Sequence, residues 1–163
     1  MVRVDQAGEY GATRIYAGQL AVMGDRTPAA RMIAGMANQE ERHRRFFDAM
    51  TVRRGVRPTV LQPFWNVAGF ALGMGTALLG PEAAMACTAA IETEIDAHYR
   101  CQLDALGESD AELRDAVAEF RAEEVEHRDT ALGAGAEQAP AYPLLSGIIR
   151  AGCRAAIALS RRL

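Results

Sequence analysis

Residues 39–46 read QEERHRRF and residues 122–129 read AEEVEHRD, so a Glu-x-x-His tetrad occurs twice, at Glu40 to His43 and at Glu124 to His127. Each tetrad follows a lone glutamate at nearly the same distance. Glu9 stands 31 residues before Glu40, and Glu92 stands 32 residues before Glu124. The upstream segments also match: Glu9, Tyr16, Gln19 and Leu20 recur at identical spacing as Glu92, Tyr99, Gln102 and Leu103. The chain therefore reads as two copies of one helix pair, with halves at about 1–80 and 81–163, inside a single domain covering 1–163. Four carboxylates and two imidazoles supplied in this way are what a two-metal centre of iron or manganese needs inside a four-helix bundle.

Residues three apart on a helix share a face, so each Glu-x-x-His pair can reach one ion. A single such tetrad arises by accident on charge-rich helices and reads equally well as a solvated face. Two tetrads with matched upstream glutamates, tyrosines and glutamines do not. Register selects among the neighbouring acids. Glu41, Glu123 and Glu126 flank the tetrads, but only Glu40 and Glu124 stand three before a histidine. Glu94 competes with Glu92, and Glu94 with His98 forms an i,i+4 pair able to bind metal by itself. The internal alignment favours Glu92, which falls opposite Glu9, whereas His98 falls opposite Ile15. His98 is then a residue behind the site or on the surface, with the surface reading preferred. Tyr16 and Tyr99 share a helix face with their glutamates and are either hydrogen-bond partners of the site or plain packing. Four carboxylates balance two divalent cations, so the loaded centre is neutral and can be buried. Empty, it would set four anions against one another. By analogy with such centres, Glu40 and Glu124 bridge, each histidine caps one ion, and Glu9 and Glu92 are terminal.

The chain has 163 residues, half of them hydrophobic, which suffices for a substantial core. Its net charge of −3 argues against a nucleic-acid partner reached through general basicity. Cys87, Cys101 and Cys153 are odd in number and lack close pairs, so they read as small apolar packing residues in a reducing compartment. MVRVDQAGEYG enters the first helix directly, without the apolar core of a signal peptide. The expectation is a bacterial intracellular protein or a mature form freed of its leader.

The organisation is all-α. Helices are expected over about 4–23, 28–52, 64–80, 81–106, 110–133 and 144–161. Thr27-Pro28 marks the second start, a Ser109 to Glu112 capping box the fifth, and Pro58, Pro63, Pro140 and Pro143 the breaks. Residues 64–80, FWNVAGFALGMGTALLG, carry no charge and four glycines, marginal for a membrane span. The last helix is amphipathic, with Leu145, Ile148, Ile149, Gly152, Ala156 and Leu159 on one face and Arg150, Arg154 and Arg161 opposite. Apolar helices edged by arginine fit a protein lying on an anionic leaflet. The competing reading is a core helix plus an oligomer interface.

From its first helix to its last residue the chain resembles the demethoxyubiquinone hydroxylases of ubiquinone biosynthesis. The resemblance rests on VDQAGEYGATRIYAGQ, QEERH, RPTVLQPFWNVAGFALGMGTALLG, AMACTAAIE, EVEH and APAYPLLSGIIRAGCRAAIALSRRL. It implies a ferritin-like four-helix bundle with two additional apolar, membrane-facing helices. The six metal ligands fall on Glu9, Glu40, His43, Glu92, Glu124 and His127. Where relatives often carry a second acid after Glu92, this chain has Thr93. The implied activity is O2-dependent hydroxylation of a polyprenylated quinone ring by a pair of irons, giving the demethylubiquinol. NADH is the expected electron source, reached without a Rossmann fingerprint, since no G-x-G-x-x-G is present. The polyprenyl tail is expected to enter between the two apolar helices. Implied partners are the quinone, O2, the membrane surface and other members of a biosynthetic complex, in some organisms a lipid-binding helper. The implied location is peripheral, on the cytoplasmic side of the cell membrane, or the matrix side of the mitochondrial inner membrane in a eukaryote. The alternative is a ferritin-like peroxidase or iron-handling protein, which would share the ligands without needing the apolar helices.

Overall fold

The computed structural model describes residues 1–163 as six α-helices and one 3-10 turn, with no strand. The order is α1 (Val2–Met23), α2 (Pro28–Arg53), α3 (Gln62–Leu78), α4 (Pro81–Leu106), α5 (Ala111–Gly133), the turn Ala136–Gln138, and α6 (Tyr142–Arg162).

Local chemistry explains most boundaries. The Thr27 side chain accepts from the Ala30 N–H at 3.1 Å, with Pro28 in the first turn of α2. Gly24 and Gly107 close α1 and α4 at φ of 66° and 50°, a region that glycine enters without a Cβ penalty. Two expectations are corrected. α5 is capped by Asp110, which accepts from the Leu113 N–H at 3.2 Å. Ser109 instead turns back and donates to the Leu106 carbonyl at 2.6 Å, closing the end of α4. Pro63 and Pro143 lie in the first turns of α3 and α6, not in the breaks before them. A helix start needs no N–H there, so these prolines open helices.

The buried stripe of α2 runs Ile33, Met36, Glu40, His43, Phe47, Met50, in steps of three and four. That of α5 runs Leu113, Val117, Phe120, Glu124, His127, Ala131. Both tetrads thus occupy the seam that a helix turns toward its core. Apolar layers lie on either side of them. One contains Phe47, Met50, Ile95, Leu113, Val117 and Phe120, and the other contains Ile33, Met36, Ala83, Met85 and Ala131. Along the chain, α1 and α5 pass from the first layer to the second, and α2 and α4 pass the opposite way. The four helices therefore alternate in direction around a buried centre.

α3 lies along α1, and α6 lies along α4. Each leaves large apolar side chains in the open: Phe64, Val67 and Leu78 on α3 and Leu144 and Ile148 on α6 are 60–68% exposed. α6 is long and apolar enough, by length and composition, to cross a membrane. Two of the three arginines expected to edge α6, Arg150 and Arg154, share one acidic partner while their side chains stay 44% and 57% exposed. Arg150 Nε and Arg154 Nη1 donate to Glu94 Oε1 at 2.6 and 2.8 Å, and Glu94 is buried. A buried carboxylate without counter-charge is costly, and these two half-exposed arginines supply it from the surface of α6.

Candidate metal centre

Glu9 reaches the centre from α1, Glu40 and His43 from α2, Glu92 from α4, and Glu124 and His127 from α5. None is more than 2% exposed. They form two overlapping groups of four, each with its ligand atoms within 4.8 Å of one another. One holds Glu9, Glu40, His43 and Glu124; the other holds Glu40, Glu92, Glu124 and His127. Glu40 and Glu124 are common to both, and each group has one histidine and one further glutamate of its own.

The Nδ1 atoms of both histidines turn inward to Glu124, at 3.2 Å from His43 and 3.1 Å from His127. With Glu124 taking those bonds, Glu9 Oε2, Glu92 Oε2 and both oxygens of Glu40 accept no well-aligned hydrogen bond although buried, and Glu9 Oε2 and Glu40 Oε1 have only the charge contacts of His43 and His127 Nδ1 at 3.4 and 3.2 Å. An unpaired buried acceptor costs about 1–3 kcal/mol, and more if charged. The electrostatics agree. Burial pushes Glu9, Glu40 and Glu92 above the usual carboxylate range, with the Glu124 charge adding to the rise. Burial pushes Glu124 up as well, but hydrogen bonds from His127 and His43 outweigh it and leave Glu124 low. Carboxylate oxygens that lack partners, beside inward-facing imidazole nitrogens and no thiolate, are a donor set suited to two cations of the iron or manganese type.

The two tyrosines cross over. Tyr16 donates to Glu92 Oε1 at 2.7 Å, and Tyr99 donates to Glu9 Oε1. Seven residues span about 10 Å along a helix, so neither hydroxyl reaches the glutamate of its own helix. The antiparallel approach of α1 and α4 supplies the partner. Glu94 faces α6, outside the cluster, so the Glu94–His98 pair does not form. His98 is not a surface residue: its side chain is 11% exposed, and its Nε2 lies 2.9 Å from Asp5 Oδ1. Its hydrogen bonds run to Asp5 and Arg161 and not to the six clustered side chains.

A cavity of about 350 Å³ opens beside the cluster between α1, α3, α4 and α6. Its walls are mostly apolar, with Ile15, Trp65, Leu72, Ile95 and Ile149 among them, and Asp5, Glu9, His98, Tyr99 and Ser160 are the polar residues that line it.

The family model described as "Ubiquinone biosynthesis protein COQ7" matches residues 1–160. The chain is 55% identical over 162 residues to a 3-demethoxyubiquinol 3-hydroxylase of Rhodospirillum rubrum, covering 99% of this chain and 76% of that protein. It is 55% identical over 167 residues to the human protein named NADPH-dependent 3-demethoxyubiquinone 3-hydroxylase, mitochondrial, covering 100% of this chain and 76% of that one. A Saccharomyces cerevisiae protein, 5-demethoxyubiquinone hydroxylase, mitochondrial, is 39% identical over 179 residues, with 100% and 77% coverage. The chain belongs to the COQ7 family.

Two residues at the centre of this COQ7 member escaped the sequence reading. The outward nitrogen of His43, Nε2, lies 2.6 Å from Glu123 Oε2, and that of His127 lies 2.7 Å from Gln39 Oε1. Glu123 and Gln39 each stand one position before the clustered glutamate of their own helix, and each serves the histidine of the other helix. The internal alignment places them opposite each other, so a signal existed. Helical register excludes Glu123 as a ligand but is silent on what stands behind a histidine.

Proposed function

We propose that the protein is an O2-dependent di-iron monooxygenase that hydroxylates the quinone ring of demethoxyubiquinone in ubiquinone biosynthesis. The observation that carries this reading is the pair of overlapping acid and histidine groups at the polar end of an apolar cavity. Glu9, Glu40 and His43 with Glu124 would hold one iron, and Glu92 and His127 with the same Glu40 and Glu124 would hold the other. When bound, the irons supply O2 activation at the ring. The architecture fits a ferritin-like bundle in which α1–α2 and α4–α5 are two copies of one unit, since the crossed tyrosines and crossed histidine partners repeat from half to half.

The chain's own contribution is positional. Tyr16 and Tyr99 hold Glu92 and Glu9 by one oxygen and leave the other free to bind. The apolar layers above and below exclude water, which strengthens every charge interaction inside. The cavity orients the ring against Glu9 and Tyr99, and its aliphatic walls accept the first part of a prenyl tail. Electrons come from a reduced nicotinamide nucleotide. The sequence reading expects NADH, while the mammalian relatives are named for NADPH.

The exposed faces of α3 and α6 fit peripheral attachment to a bilayer, from which a tailed quinone would enter between these helices. Removing Phe64 and Ile148 from apolar contact by Phe64→Glu with Ile148→Glu is expected to lower binding to anionic vesicles by at least roughly tenfold, since each side chain contributes about 1.5–3 kcal/mol when buried. Co-sedimentation measures it, and unchanged binding would move the membrane contact elsewhere.

The deciding experiment is an aerobic assay of the iron-loaded protein with demethoxyubiquinone and NADH or NADPH, read by mass spectrometry of the quinone. One added oxygen atom, carrying label from 18O2, is the expected product. If iron is bound and only hydrogen peroxide is consumed, the peroxidase alternative replaces this reading.

A further inference from the structure

The two halves of the centre match in every residue of the cluster but not in what stands behind the histidines. Behind His43 is a carboxylate: Glu123 Oε2 accepts from Nε2 at 2.6 Å. Arg42 in turn grips both oxygens of Glu123 and reaches Glu119 Oε1 at 3.2 Å. The His43 ring is also stacked on Phe120, with centroids 4.1 Å apart. Behind His127 is only a neutral amide, the Gln39 Oε1 at 2.7 Å. The acceptors behind both rings hold a proton on Nε2, so each Nδ1, which faces Glu124, is the nitrogen a cation would meet once its own proton is released. They differ in strength. A hydrogen bond to a carboxylate is roughly twice as strong as one between neutral groups, and it makes the imidazole a better donor to a metal.

We propose that Glu123, held in place by Arg42, is a positioning residue that makes the two metal positions unequal, with the cation on the His43 side bound more tightly than the one on the His127 side. The inference rests on reading the cluster as a two-cation site. It adds an order of filling that the symmetric ligand set by itself does not contain. Glu123 touches no reacting atom and acts only through His43. The charged chain also runs outward, because the Arg42 and Glu119 side chains are half exposed or more. The tightly held ion is thereby tied to the α2–α5 surface, and the cavity opens elsewhere, among α1, α3, α4 and α6.

The test is a titration of the metal-free full-length protein with Co(II), followed by its visible absorption bands and by calorimetry. The wild type is expected to take up two ions in two resolved steps, and His43→Ala should remove the tighter step and His127→Ala the weaker. Glu123→Gln should weaken the tight step by about tenfold or more, in line with the usual effect of altering a ligand's hydrogen-bond partner, and leave the other within about twofold. Gln39→Glu, on an unaltered Glu123, should tighten the weak step by a similar factor and merge the two. A general loss of structure would move both steps together, which neither variant should do. The inference is overturned by two equal steps in the wild type, by an equal weakening of both steps in Glu123→Gln, or, should Glu123→Gln not fold, by a Gln39→Glu titration identical to wild type. Failure to bind any Co(II) would overturn the two-cation reading together with this one.

Discussion

Glu124→Ala is expected to leave the chain unable to hold either iron and without hydroxylase activity. Glu124 belongs to both groups of four, and it accepts the inward nitrogen of both histidines. Its loss removes a charged ligand from each ion and leaves His43 and His127 buried without their acceptor. Breaking a buried charge pair costs about 3–5 kcal/mol, which is roughly two to four orders of magnitude in affinity for each ion. Glu9→Ala provides the contrast, because Glu9 belongs to one group alone. That variant should lose the ion on its own side and retain about one per chain. Metal content by elemental analysis, with Co(II) binding as a second measure, distinguishes the two. Retention of two ions by Glu124→Ala would move the bridging role to another residue.

The centre was legible because its constraints are local. A glutamate and a histidine three apart share a face whatever the fold, and steps of three and four carry that face through Ile33, Met36, Phe47 and Met50 into the core. The choice of Glu92 over Glu94 followed from the repeat, and Glu94 indeed faces α6. What escaped depends on which helix meets which. Tyr16 and Tyr99 are hydrogen-bond partners of the cluster, one of the two roles their spacing allows, but which glutamate each meets is set by the antiparallel approach of α1 and α4. His98 looked exposed because nothing in its own helix explains it, whereas its partner, Asp5, is 93 residues away. The spacing of Arg150 and Arg154 on α6 likewise says nothing of the buried Glu94 that both of them meet on α4. In the sequence the glycines of α3 speak only against a membrane span. Two of them are explained by contacts with α1.

Gly73→Ala should strip α3 from α1. A Cβ placed on Gly73 would lie 1.9 Å from the Ile15 carbonyl oxygen, and one on Gly18 would lie 2.2 Å from the Phe70 carbonyl oxygen. In each case the obstacle is backbone, which no rotamer change can move. Overpacking costs about 1–3 kcal/mol where side chains give way, and here a whole helix must shift, so the upper end applies. Alanine returns about 1 kcal/mol of helix propensity. The net loss of roughly 2 kcal/mol corresponds to a fall in Tm of about 4–8 °C for a domain of this size. Gly75→Ala on the same helix is the control, since nothing lies within 4 Å of its added Cβ; its Tm should hold or rise slightly. The pair also separates stability from function. α3 supplies Trp65, Ala68 and Leu72 to the cavity wall, and α1 supplies Glu9. Prising them apart should raise the KM for a tailed quinone in Gly73→Ala and leave it unchanged in Gly75→Ala. A Gly73→Ala protein with wild-type Tm and KM would mean that α3 does not seat on α1 through this close approach, and that the cavity has some other wall.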